Sequence, residues 1–168
     1  AFTGIGLAIM RMRSSGCIKY AAPLIGFSVA MFTHAFHNGL ASIISGLGGL
    51  AFGTFLDWTG WFFMFIFILW AVSSDQKLLK KHLQEEYRLE LITAAQYHTA
   101  ISARKQSSAR MQALFNGRYK ATRRFYQICG ELAHKKEQYH TLGNEKNNGE
   151  IIQKYRAELT VLKDKAMA

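Results

Sequence analysis

The chain has 168 residues, 49% of them hydrophobic, and a formal net charge of +10 from 21 Lys and Arg against 11 Asp and Glu. Its mean hydropathy is close to zero, which taken alone would exclude a membrane protein, but the average conceals two unlike blocks. Asp57 is the only charge between residues 20 and 74, whereas eighteen basic and ten acidic residues follow residue 74. Cys17 and Cys129 form no CxxC or CxxH pair, so neither a disulfide framework nor a zinc finger is indicated.

The opening AFTGIGLAIM is apolar but shorter than the roughly 20 residues a helix needs to cross hydrocarbon. Arg11, Arg13 and Lys19 follow it, where a signal peptide would carry its basic residues first, so the chain is expected to be the C-terminal part of a longer protein. A first span is expected over about 20–44. Gly46, Gly48, Gly49 and Gly53 then crowd together, each costing a helix about 1 kcal/mol relative to Ala, and predict a turn over about 45–55. A second span is expected over about 56–74, with Trp58, Trp61 and Trp70 near its ends, where indole rings favour the headgroup layer. Basic residues flank the pair on both sides, Arg11, Arg13 and Lys19 before it and Lys77, Lys80 and Lys81 after it, which puts both flanks in the cytoplasm.

The remaining residues have helical periodicity. Leu79, Leu83, Tyr87 and Leu91 predict an amphipathic helix within 76–115, interrupted or continued through 92–97. Phe125, Ile128, Leu132, Tyr139 and Leu142 form a seam with a polar layer at Lys135, and Ile152, Tyr155, Leu159 and Leu162 form a second one. GNEKNNG at 143–149 holds turn formers, so 125–142 is expected to fold back on 151–163 as an antiparallel hairpin. The expected fold is therefore all-α: multi-pass membrane helices over 1–74 and a basic cytoplasmic helical tail over 75–168, in a cell membrane. Arg118, Lys120, Arg123 and Arg124 are the densest basic run. With no nucleic-acid recognition motif beside them they read as a solvated face, and the expected partner is the lipid bilayer rather than nucleic acid.

Within the first span His34 and Asn38 stand at i,i+4, so imidazole and carboxamide share one helix face. An intramembrane histidine is a functional candidate by default, although a hydrogen bond between packed helices would also account for it. His37 lies about 60° round the helix from His34, at the rim of the same face.

Thr3-Gly4-Ile5-Gly6-Leu7, the basic loop after it and His34-Ala35-Phe36-His37-Asn38 together resemble the last part of the PrsW family of intramembrane proteases. There a TGxGLG-like helix precedes a short basic loop and a span ending in H-x-x-x-N. The resemblance covers about residues 1–45, and His37 stands where the family often has Trp. It implies an intramembrane endopeptidase acting on a membrane-protein substrate, with His34 and Asn38 catalytic alongside glutamates on earlier helices. Two mechanisms follow from the resemblance. In one, His34 is a ligand of zinc, the possible cofactor; in the other, His34 and Asn38 hold the oxyanion while a glutamate activates water. The competing reading is a non-enzymatic membrane scaffold or transporter whose histidine packs or relays protons.

Overall fold

A computed structural model describes residues 2–12, 15–44 and 46–167. Among them the regular structure is all helical, in the order α1 (Phe2–Met12), α2 (Cys17–Ile43), α3 (Gly46–Arg88), α4 (Ala94–Ala100), α5 (Ala103–Phe115), α6 (Tyr119–Leu142) and α7 (Asn148–Leu162), with one 3-10 turn at Glu145–Asn147. The chain divides into two compact units, Ala1–Leu69 and Trp70–Ala168, with the boundary inside α3. Arg13 of the basic flank and Ser45 of the expected turn lie outside the described residues.

In the first unit α1 packs on α2 by backbone approach. A Cβ added at Gly6 would lie 2.4 Å from the Ala22 carbonyl oxygen, and one at Gly26 would lie 2.5 Å from that of Phe2. Ala22 and Gly26 form a small-xxx-small stripe, which lets the two backbones meet closely.

The expected turn over 45–55 is corrected. Ile44 closes α2 in an extended conformation, and helix resumes at Gly46, whose φ is +71°, so Gly48, Gly49 and Gly53 are helical. Gly49 sits where a Cβ would collide with the Ile44 carbonyl oxygen, so the glycines make the reversal tight rather than long. Each weakens the helix by propensity, yet the helix runs through all three.

The second apolar segment lies within a longer helix, α3. It runs unbroken into the polar sequence to Arg88, and α3 is the one helix among the described residues long and apolar enough to cross a membrane. At 27 residues α2 has the length, but Lys19, Pro23, His34, His37 and Asn38 dilute its apolar character.

The second unit closes around Leu83, Ile92, Phe125, Ile128, Leu132 and Leu159, all essentially inaccessible to solvent. The helix expected within 76–115 is three helices. The chain breaks after Arg88 through Glu90 at φ 57°, and Thr93 then starts α4 with a capping box in which Thr93 and Gln96 exchange side-chain and backbone hydrogen bonds. Ser102 caps α5. The α6–α7 hairpin forms across the expected turn, using Gly143 at φ 72° and Asn147 at φ 58°. Its polar layer has a partner from the facing helix, since Lys135 Nζ donates to Oδ1 of the buried Asn148 at 3.3 Å. Arg124 clamps Glu158 across the two helices with bonds of 2.7 and 2.9 Å.

Candidate functional site

His34 and Asn38 lie on successive turns of α2, both exposed, with Asn38 Nδ2 3.2 Å from His34 Nε2. Their i,i+4 spacing is therefore a contact. With the amide NH₂ facing the ring, Nε2 accepts and the neutral imidazole carries its proton on Nδ1; reversing the carboxamide makes Nε2–H the donor and frees Nδ1. Either way one ring nitrogen is oriented by Asn38 and the other is left for a third group. Neighbouring hydroxyls turn inward: Thr33 Oγ1 donates to the Val29 carbonyl at 2.9 Å and Ser42 Oγ to that of Asn38 at 2.8 Å.

His37 does not join this pair. Its Nε2 approaches Asp57 Oδ1 of α3 to 3.1 Å, at ion-pair distance but outside hydrogen-bond geometry. This pairing was not read from the sequence, although the signal was there: Asp57 is the only acid before residue 75, and a lone acid in an apolar run calls for a partner.

No group of three His, Cys, Asp or Glu side chains placed to hold a metal occurs among the described residues. Catalytic zinc takes three protein ligands, of which His34 would be one, so the donor set here does not by itself fit zinc.

A second concentration of charge lies in the Trp70–Ala168 unit. Glu86 is fully buried, and its carboxylate accepts from Lys136 Nζ at 2.7 Å and from Arg156 through Nε and Nη2, each at 2.9 Å. Glu85 beside it is held below the usual carboxylate range, first by its hydrogen bond from Lys136, against a rise from burial, with the hydrogen bond from Arg156 adding to the lowering. His82 is buried and meets Glu137, whose carboxyl is lowered by Lys81 and then by His82. Lys136 also donates to the His82 carbonyl at 2.8 Å. Every charge in the cluster is answered by another, so it acts as a clasp joining α3, α6 and α7. Deeper in the core, burial pushes the Tyr126 hydroxyl up to about 12 and raises the Cys129 thiol strongly, which leaves that thiol inert.

No known protein family, curated protein or solved structure matches the chain.

Proposed function

We propose that the chain supplies the His34–Asn38 part of an intramembrane endopeptidase site resembling that of the PrsW family, in a multi-pass membrane protein whose α3–α7 tail is cytoplasmic. The observation that supports this reading is the 3.2 Å contact between an imidazole and a carboxamide on an otherwise apolar, exposed stretch of α2. The carboxamide orients the ring and leaves its other nitrogen for an oxyanion or a metal. The acid that activates water has to come from beyond this pair, because Asp57 is engaged with His37. Earlier helices would contribute it as a glutamate.

The scaffold or transporter reading is favoured by one observation of its own. His37 and Asp57 bridge α2 and α3, an ionisable pair of the kind that pins spans together or passes protons. Alanine variants separate the two. His34→Ala should abolish proteolysis of a membrane substrate, by at least the roughly 10²–10³-fold that loss of one oxyanion donor costs, with abundance unchanged. Asn38→Ala should be milder and His37→Ala milder still. A merely packing histidine would instead lose about 0.6 kcal/mol of stability and little activity per folded molecule. If His37→Ala were the most damaging of the three, the H-x-x-x-N assignment would fall.

A further inference from the structure

Helix α5 has its amphipathicity reversed. The residues it turns to the core are Ala109 and Ala113, while Met111, Leu114 and Phe115 are 59, 56 and 81% exposed. Arg104, Ser108, Met111 and Phe115, at successive i+4, i+3 and i+4 steps, make one outer stripe. A helix that needed only to pack would carry the large apolar groups inward. Basic residues flank the stripe along the chain: Arg104 and Lys105 at its start, and Arg118, Lys120 and Arg123 beyond Gly117, all exposed and none in an ion pair among the described residues. Arg118 bonds only a backbone carbonyl, that of Asp164, at 2.9 Å.

We propose that this outer face of α5, with the turn after it, docks on an anionic lipid surface, Met111, Leu114 and Phe115 entering the headgroup boundary and the basic residues meeting lipid phosphates. Exposed apolar side chains flanked by Arg and Lys are the pattern of an interfacial helix, and the charge complements anionic headgroups. The neighbourhood of α5 points to lipid rather than to a protein partner. Ala103, Gln106 and Arg110 face Val72, Gln76 and Leu79 of α3 across a groove, so α5 lies beside the stretch where α3 leaves its apolar sequence. The inference rests on the reading that α3 crosses a membrane.

The test uses the full chain with Cys17→Ser, Cys129 being buried and inert, reconstituted in vesicles of phosphatidylcholine alone or mixed equally with phosphatidylglycerol. An environment-sensitive fluorophore is attached at Ser108→Cys on the stripe, at Thr59→Cys in α3, or at Ala157→Cys on the exposed side of α7, and nitroxide-labelled lipid is the quencher. The position-59 probe should be quenched in both vesicles and the position-157 probe in neither. The position-108 probe should be quenched in mixed vesicles, several-fold less in phosphatidylcholine or high salt, and no longer after Met111→Ser with Phe115→Ser. A probe at 108 that stays in water while that at 59 is quenched overturns the docking proposal alone. Quenching at 108 that survives the double serine variant also overturns it. Shielding at 108 in lipid-free detergent that grows with protein concentration assigns the face to a second copy instead. An unquenched probe at 59 overturns the membrane reading and the docking proposal with it.

Discussion

The two units use the same helical periodicity in opposite senses. In the first, Trp58, Trp61 and Phe63 are 72, 75 and 64% exposed, and the buried positions are small residues such as Gly6 and Ala22. In the second, Phe125, Ile128 and Leu132 are fully buried and a ring of charge closes over a buried carboxylate. Packing by backbone approach and packing by side-chain burial are thus both present in one chain, and α3 passes from one regime to the other without a break. What holds each unit together differs accordingly: glycine contact in one, core volume and paired charge in the other.

Substitutions should break the units by different means. The largest effect is expected at Glu86→Ala, which leaves Lys136 and Arg156 beside the core with only the half-exposed Glu85 carboxylate to answer them. A loss of about 3–5 kcal/mol is expected, read from the denaturant midpoint of the tail's helical signal. A loss under about 1 kcal/mol would show that water relieves the clasp. Gly26→Leu should come next. Its side chain would drive against the Phe2 carbonyl and part α1 from α2 at about 1–3 kcal/mol, seen as reduced thermal stability in detergent with the tail's midpoint unmoved. A matching fall in the tail's midpoint would contradict the independence of the two packing modes. Thr93→Ala removes the cap of α4 and should cost about 1 kcal/mol, local to α4 by hydrogen exchange.

The smallest effect is with pH. Glu85, Glu137 and Glu158 all have carboxyls lowered by basic partners, so their folded pKa lies below the unfolded value. Their contribution is complete above the ordinary carboxylate value of 4.5 and fades as pH falls through their depressed folded values. Partial exposure of all three keeps it modest. The tail's midpoint should therefore be flat near neutrality and drop in acid, less steeply in Glu137→Gln. An unchanged slope in that variant would remove Glu137 from the clasp.

What the sequence disclosed followed from how local each signal is. The α6–α7 hairpin was legible because its seam spacing and turn residues are adjacent in the chain, and the His34–Asn38 contact because i,i+4 geometry needs only a helix. The Thr93-x-x-Gln96 capping box was also local, but it sat inside a stretch read for apolar periodicity. The glycine run misled because propensity scales describe helices in water; on the proposed membrane reading, the cost of unbonded peptide groups in an apolar medium would favour a helix here. His82 was out of reach: its partner Glu137 lies 55 residues away, and nothing next to it marks it as buried.

The proposal stands or falls on whether α2 crosses the membrane, since only then are His34 and Asn38 inside it. The native Cys17, exposed at the start of α2, is its own reporter, and Leu47→Cys in a Cys17→Ser background reports the far end beyond Ile44. With a membrane-impermeant thiol reagent on intact cells, Leu47→Cys should label at once and Cys17 only after permeabilisation. Labelling of both from outside, or of neither, would put the two ends of α2 on one side of the membrane and contradict an intramembrane site at His34 and Asn38.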